Sequence, residues 1–134
     1  MSDVTLHLGD CLEVMRSMPD GSVDAVVTDP PYGYLKHKLD RSFDEDAFFS
    51  ECRRIIKKTG FYVGFGRGQG FYRWNTMLSD LGFVFKEQVI WDKRHPTSPT
   101  MPLIRVHETV SIFSNGKAKI RKTKVPYLEA RWIS

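Results

Sequence analysis

The sequence predicts one α/β domain with a doubly wound, mostly parallel sheet that ends in an antiparallel pair of strands. Short apolar or alternating runs alternate with segments whose apolar residues recur at helical spacing. The last two runs follow one another without a helical segment between them, which favours an antiparallel pair at the C-terminal end. With 134 residues, the chain has a usual size for one domain, so we expect residues 1–134 to form a single unit.

The first four predicted elements follow from apolar periodicity. Residues 4–8 alternate and are rich in β-formers, which indicates a short strand, and residues 11–18 have apolar residues at helical spacing. Residues 23–28 are mostly apolar, as is typical of a strand buried on both faces. Residues 44–58 form an amphipathic helix with acidic residues early and basic residues late, and Thr59-Gly60 ends it.

The remaining elements are bounded by glycine and proline. Apolar residues predict a strand at 61–65, and the glycine-rich residues 66–70 lead into a helix at about 71–81. A strand follows at 83–91, and a loop with three prolines separates it from an alternating strand at 105–114. Because ligands bind beyond the carboxyl ends of the strands in such sheets, the loops after the first three strands are expected to meet at one crevice.

The composition is that of a globular protein that works inside the cell. Hydrophobic residues make up 41% of the chain and charged residues 27%, and no apolar run approaches a membrane-spanning length. Met1–Val4 shows no secretory signal, and the two cysteines lie far apart, which suggests reduced thiols and no metal pattern. We expect Cys11 and Cys52 to be buried as small apolar side chains. We therefore expect a cytoplasmic protein without a bound metal.

The excess positive charge is concentrated near the C-terminal end. The net charge is +4, and residues 116–124 carry five basic and no acidic side chains. Such a run favours a polyanionic partner, nucleic acid first among them, while a solvated tail is the alternative.

The most informative stretch is residues 26–33, VVTDPPYG, which follows an apolar strand. Proline lacks a backbone N–H and fixes its own φ, so Pro30 and Pro31 form a rigid turn. Asp29 and the carbonyl of Pro30 offer two acceptors at a fixed separation, which suits the two hydrogens of an NH₂ group. Tyr32 adds a ring on which a base can stack. The turn therefore predicts a grip for the exocyclic amine of a nucleobase.

The motif resembles the catalytic motif of DNA amino-methyltransferases. Those enzymes transfer a methyl group from S-adenosylmethionine to the adenine N6 amine or, less often, to the cytosine N4 amine, and an aspartate at the first motif position tends to go with adenine. The resemblance runs in order from about residue 4 to residue 117. The matching segments are residues 8–13, 19–24, 26–33, 49–61, 89–93 and 107–113.

This resemblance implies a Rossmann-like, partial methyltransferase fold and a set of site residues. The implied catalytic residues are Asp29, Pro30, Pro31 and Tyr32. The implied cofactor-binding residues, for S-adenosylmethionine, are Gly9, Asp10, Cys11 and Asp29. Asp10 has a second role open to it, since a carboxylate at that position can cap the helix that begins near Cys11.

The order of the segments resembles the permuted class in which the catalytic half comes first. The DNA-recognition region and the main cofactor loop, Phe-x-Gly-x-Gly, are then expected beyond Ser134, with residues 115–134 leading toward them. Residues 64–70 approximate a cofactor loop, but by family order they follow the catalytic helix. The alternative is a turn that lets the backbone approach a neighbour, with Arg67 placed near a phosphate.

Double-stranded DNA is the expected partner, and six basic residues are its expected contacts. Lys36, Lys38 and Arg41 follow the catalytic turn and would meet phosphates beside an extruded base, although a solvated loop is the alternative. Arg67, Lys93 and Arg94 complete the set. Trp91 is assigned to the core rather than to the base site, and His107 and Glu108 to a structural pair.

Two functions of different classes remain from the sequence. The first is the catalytic half of a DNA adenine methyltransferase that is a fragment or needs a partner chain. The second is a non-catalytic nucleic-acid-binding or interaction protein descended from such an enzyme. Both leave a sheet edge open, which invites a homodimer or a partner chain.

Overall fold

A computed structural model describes residues 3–33, 38, 40–95 and 102–121 of the chain. Within these residues three helices and four strands alternate, which confirms the predicted α/β class. In chain order they are α1 (Cys11–Ser17), β1 (Val23–Thr28), α2 (Glu45–Ile55), β2 (Ile56–Gly66), α3 (Gly68–Asp80), β3 (Phe83–Asp92) and β4 (His107–Asn115). None of the three helices has the length and apolarity that a membrane crossing requires.

The four strands form one mixed sheet in the order β1-β2-β4-β3. β1 and β2 are parallel, with Val27 opposite Val63, whereas β4 runs antiparallel to both of its neighbours. The carboxyl ends of β1, β2 and β3 therefore lie at one edge of the sheet, together with the beginning of β4. This edge, which we call the carboxyl edge, is where the fold class predicts a ligand site.

The three helices bury their apolar sides against one face of the sheet. Phe49 of α2 packs its ring against Tyr62 of β2 at a centroid distance of 5.9 Å, and both side chains are almost fully buried. The cluster draws on all three helices and on β2, β3 and β4. Its buried members are Met15, Phe48, Phe49, Cys52, Ile55, Ile56, Tyr62, Trp74, Leu78, Phe83 and Phe113.

Two glycines of β2 make this packing possible. A Cβ atom on Gly64 would lie 2.4 Å from the hydroxyl of Tyr62, and one on Gly66 would lie 2.3 Å from the ring of Phe71. Both distances are far below van der Waals contact. Gly64 and Gly66 thus lie in a strand, under aromatic rings, and the glycine-rich turn is shorter than predicted because α3 already begins at Gly68.

Residues 4–8, predicted to form a strand, are not in a strand in the structure. A strand needs a hydrogen-bonding neighbour, and in the described part of the chain no strand lies beside this segment. Val4, Leu6 and Leu8 are each at least 81% exposed. The prediction failed because alternation indicates a strand only where a partner strand is present.

The prediction that β1 is buried on both faces is also wrong. β1 lies at the end of the strand order, and Val27 is 68% exposed. An apolar run does not show whether the second face of a strand is covered.

The boundary between α2 and β2 falls earlier than predicted. α2 ends at Ile55, and β2 begins at the next residue, where Ile56 pairs with Val23 of β1. Gly60, expected to end the helix, lies within β2, where a Cβ atom would approach the backbone oxygen of Asp24 to 2.6 Å. Pairing with β1 therefore overrides the helical spacing of the last turn.

Candidate active site

The turn after β1 places an aspartate, two prolines and a tyrosine at the carboxyl edge. Asp29 is exposed, Pro30 is buried, and Pro31 and Tyr32 are half-buried. The buried Pro30 fixes the path of the backbone because its ring locks φ. The carboxylate of Asp29 consequently projects from a rigid support at the end of the strand, as the sequence predicted.

The hydroxyl of Tyr32 donates a hydrogen bond to Asp29 Oδ1. Burial raises the pKa of the Tyr32 hydroxyl well above its ordinary value, and the Asp29 carboxylate raises it further through this bond and through its charge. Glu108 of β4 adds to the increase, and Arg67, before α3, opposes it. These two side chains, one on β4 and one between β2 and α3, therefore act electrostatically on the Asp29 turn.

The ring of Tyr32 is held by other aromatic side chains. It packs against Trp74 of α3 with 6.0 Å between the ring centroids and an angle of 42° between the planes. Trp74 also contacts Phe43, which precedes α2, at 5.9 Å. Both centroid distances lie within the common range for aromatic pairs. Tyr32 thus packs against an aromatic cluster that includes Trp74 and Phe43.

A cavity of about 760 Å³ opens beside the Asp29 turn. Three segments contribute to it: the beginning of α1, the end of β1 and the residues that precede α2. Its lining comprises Gly9, Asp10, Cys11, Leu12, Thr28, Asp29, Pro30, Pro31, Arg41, Ser42, Phe43, Asp44 and Phe48. The structure therefore brings the residues assigned from sequence to the cofactor and most of those assigned to catalysis into one cavity. No described residue of the 66–70 segment is part of this lining.

Asp10 has the capping role that the sequence left open. Its Oδ1 atom accepts a hydrogen bond from the backbone amide of Leu12 at 2.9 Å, which satisfies a donor at the start of α1. The same residue lines the cavity. One carboxylate oxygen is engaged in the cap, and the second is not needed for it, so capping and ligand contact are compatible.

A hydrogen bond joins the residue after the Asp29 turn to a residue that precedes α2. The backbone amide of Gly33 donates to the carboxylate of Asp40 at 2.6 Å. Arg41, predicted to contact DNA, lines the cavity, and Lys38 is exposed. Lys36 lies outside the described residues.

The other predicted DNA contacts lie elsewhere along the carboxyl edge. Arg67 follows β2 and is half-buried, and Arg94 is exposed after β3 with a positive φ of 59°. Lys93 donates to Glu108 at 2.6 Å in a half-buried ion pair and lies over the ring of Trp91. Lys93 is thus already engaged within the protein.

Two assignments of side chains to the core are wrong. Trp91 is 52% exposed and packs edge-on against Phe65, because β3 lies at an edge of the sheet. Cys11 is exposed on the first turn of α1. Cys52, by contrast, is buried as expected, and burial raises the pKa of its thiol to about 12. The described residues contain no cluster of histidine, cysteine and acidic side chains that could hold a metal ion.

Sequence reasoning missed the aromatic part of the site. Phe43 and Phe48 line the cavity, and Trp74 supports Tyr32. The apolar pattern marks such residues as buried side chains and does not indicate that the core reaches the Asp29 turn. The sequence feature that could have indicated it is the pair of aromatic residues, Phe43 and Phe48, on either side of the start of α2.

Solved structures define the class of fold. A putative DNA modification methylase from Thermus thermophilus, TTHA0409, superposes with a TM-score of 0.67 at 26% identity, over 88% of this chain and 56% of that one. A second structure of the same protein, complexed with S-adenosyl-L-methionine, superposes with a TM-score of 0.64. The α/β sheet and its helices thus have a methyltransferase fold.

The sequence comparisons identify the family. The sequence model of the DNA methylase family N6_N4_Mtase matches residues 23–133, and the chain belongs to that family. The Type II methyltransferase M.HinfI of Haemophilus influenzae is 31% identical over 115 residues, which are 69% of this chain and 32% of that protein. M.BglII of Bacillus subtilis is 27% identical over 81% of this chain and 34% of its own length. The chain thus spans about a third of the curated relatives that it matches.

Proposed function

We propose that this chain is the catalytic part of a DNA methyltransferase that methylates the exocyclic amine of adenine with S-adenosylmethionine as methyl donor. The observation that carries the proposal is that Asp10 and Asp29 line one cavity, which supports a role for the first carboxylate in binding the cofactor and for the second in binding the amine. The family membership and the SAM complex of a solved relative support the same reading.

The cavity suits a nucleoside-sized cofactor. Its volume of about 760 Å³ lies in the usual range for small-molecule sites, roughly 300–1,000 Å³. Gly9, Asp10 and Cys11 would hold the adenosine part, with the Asp10 carboxylate as acceptor for ribose hydroxyls, and Asp29 would border the reacting end. S-adenosylmethionine, when bound, supplies a methyl group activated by its attachment to a positively charged sulfur.

Asp29 and the carbonyl of Pro30 would accept the two hydrogens of the adenine amine. The lone pair of that amine is delocalised into the ring, so the free amine is a poor nucleophile. Two acceptors on one side favour tetrahedral geometry at nitrogen and leave the lone pair available for attack. Positioning and electrostatics are sufficient for this, and no covalent intermediate with the protein is required.

The base would reach this site after extrusion from the duplex and would stack on Tyr32. Arg41 and Lys38 lie next to the turn, and Arg67 and Arg94 extend the positive charge along the carboxyl edge. In this arrangement they contact backbone phosphates, which position the DNA without reading its sequence. Lys93 would join them only by leaving Glu108.

We propose that methyl transfer requires more polypeptide than these 134 residues. The chain covers 56% of the Thermus protein and about a third of M.HinfI and M.BglII. We propose that additional strands pair with the open edge of β1, where Val27 is exposed, and that residues 115–134 lead toward a recognition region. The additional strands belong to a longer form of the protein, to a partner chain or to a second copy.

Calorimetric titration with S-adenosylhomocysteine, with and without duplex DNA, tests cofactor binding. A methyl-transfer assay with radiolabelled S-adenosylmethionine then compares Asp29→Ala with the unaltered protein, both in a form that carries the additional strands. We expect transfer to fall by about 10²-fold or more in Asp29→Ala, because one of the two amine acceptors is lost. The matched control is Asp80→Ala at the end of α3, where the aspartate is exposed, and it should leave transfer unchanged.

Equal activity of Asp29→Ala and the unaltered protein, in a form that transfers methyl groups, would refute the mechanism. DNA binding without any cofactor binding, in the chain alone and in a longer form, would favour the non-catalytic alternative. The open edge of β1 is the observation that favours this alternative, because an unpaired edge strand can bind another chain whether or not the protein is catalytic.

A further inference from the structure

Trp74 is a buried aromatic residue of α3 that no part of the proposed mechanism uses. Its side chain is 4% exposed, and it does not line the cavity. It nevertheless contacts two residues that belong to the site, Tyr32 and Phe43. A buried side chain that reaches the catalytic turn from another element can determine how that turn is held.

The two contacts of Trp74 lie at opposite ends of one loop. Tyr32 follows β1, and Phe43 precedes α2 and lines the cavity. The centroid distances from Trp74 are 6.0 Å to Tyr32 and 5.9 Å to Phe43. The hydrogen bond from Gly33 to Asp40 joins the two ends of the same loop. Trp74 therefore lies beneath both ends of the loop that carries Arg41.

The position of Trp74 is itself fixed. The guanidinium of Arg73, the preceding residue, binds both carboxylate oxygens of Glu45 in α2, at 2.9 and 2.6 Å. The bond to Arg73 holds the pKa of Glu45 below its ordinary value. The ring of Phe49 packs against Trp74 at 6.2 Å from the other side. Because α2 and α3 are joined at this point, Trp74 is a rigid support.

Tyr32 depends on such a support for two reasons. Its hydroxyl donates to Asp29, and its ring is the surface on which the base would stack. A change in the χ1 angle of Tyr32 would move both, since the hydroxyl is attached to the ring.

We infer that Trp74 is a positioning residue that fixes the Tyr32 ring and, through the Tyr32 hydroxyl, orients the carboxylate of Asp29. The inference rests on the proposed function for its catalytic consequence, but the contact between Trp74 and Tyr32 can be tested without any activity. A purely structural role would make Trp74 equivalent to any other buried aromatic residue of the core.

Phe83 provides the matched control. It is 4% exposed, as Trp74 is, and packs against Tyr62 and under Arg53. Phe83 forms no ring pair with Tyr32. Trp74→Leu and Phe83→Leu should therefore both lower stability, whereas only Trp74→Leu should change the environment of Tyr32.

The experiment follows the Tyr32 hydroxyl by NMR in protein labelled with ¹³C at tyrosine Cζ. The Tyr32 signal is assigned by its loss in Tyr32→Phe, and its Cζ chemical shift at neutral pH is recorded for Trp74→Leu, Trp74→Phe and Phe83→Leu. We expect Trp74→Leu to move the signal toward that of an exposed tyrosine, because the hydroxyl becomes more exposed and loses its defined bond to Asp29. Trp74→Phe, which retains a ring, should keep the signal near its original position.

An unchanged Tyr32 signal in Trp74→Leu would overturn the inference, as would an equal change in Phe83→Leu. If Trp74→Leu does not fold, Trp74→Met and Phe83→Met are compared instead, and equal Tyr32 signals in those two variants overturn the positioning role. In a form of the protein that transfers methyl groups, Trp74→Leu should lower kcat by about 10- to 100-fold with little change in KM. If no form that carries the additional strands transfers a methyl group, the proposed function fails while the NMR result still decides the role of Trp74.

Discussion

The two faces of the sheet differ in how much of their apolar surface is covered. On the helix side, Phe49 and Tyr62 are at most 1% exposed and lie in contact. On the opposite face, Val27, Val84 and Trp91 are 68%, 46% and 52% exposed. The strand register places these three side chains on that face. Successive side chains of a strand point to opposite faces, and Val27, Val84 and Trp91 pair with residues of β2 and β4 that point away from the helices.

This difference shows that the described residues build only one of the two layers that a sheet with parallel strands usually carries. Parallel strands are covered on both sides in most α/β proteins, since each crossover places a helix on a face. Here α1, α2 and α3 all contribute to one cluster. The exposed face and the open β1 edge are consistent with additional polypeptide in the longer relatives.

The largest effect on stability is expected from removing a buried ring on the helix side of the sheet. Phe49→Ala removes a fully buried ring that contacts Tyr62, Phe48 and Trp74, and should lower the free energy of unfolding by about 3–5 kcal/mol. Trp91→Ala, on the open face, should cost only about 1 kcal/mol because half of that side chain is already in water. Urea denaturation of both variants measures the difference, and equal losses would contradict the contrast between the faces.

A smaller loss is expected where β2 passes under an aromatic ring. Gly64→Ala places a methyl group 2.4 Å from the Tyr62 hydroxyl and should destabilise the fold by about 1–3 kcal/mol. Gly70→Ala is the matched control. It lies in α3, where the new methyl group would meet Trp74 at 3.8 Å, and it should stabilise by about 0.5–1 kcal/mol. A harmless Gly64→Ala would mean that Tyr62 does not lie over β2.

The smallest effect is expected on the open face itself. Replacing Val84 and Val89 together by threonine keeps the shape and β-propensity of each side chain, and both are about half exposed. The free energy of unfolding should change by no more than about 0.5 kcal/mol per site. Self-association measured by sedimentation should decrease if this face joins two copies. A loss above about 2 kcal/mol would show that the face is covered in solution.

The helices and most strands were predictable because their patterns are local. The apolar spacing and the capping aspartate give α1 directly, and Gly82, with a φ of 85°, marks the end of α3. The boundary at Ile55 was not predictable, since pairing with β1 converts residues of helical spacing into strand. Residues 4–8 failed for the same physical reason, because a strand is defined by a neighbour.

The candidate site was predictable in its polar part and not in its aromatic part. The turn at Asp29 and the acid at Asp10 stand in sequence patterns whose chemistry is recognisable, and the structure brings both to one cavity. Phe43 and Trp74 lie 31 positions apart and look like ordinary core residues. The contacts of Trp74 with Phe43 and with Tyr32 exist only because α3 packs against α2.

By itself the sequence determined the fold class, the rigid turn that presents Asp29 and the resemblance to DNA methyltransferases. These are properties of short segments, since proline geometry, helical spacing and motif order do not depend on distant residues. The tertiary structure alone decided that Tyr32 binds Asp29 and rests on Trp74, that Lys93 is paired with Glu108, and that one face of the sheet stays exposed. Each of those facts depends on which elements pack together, and packing joins residues that no local pattern connects.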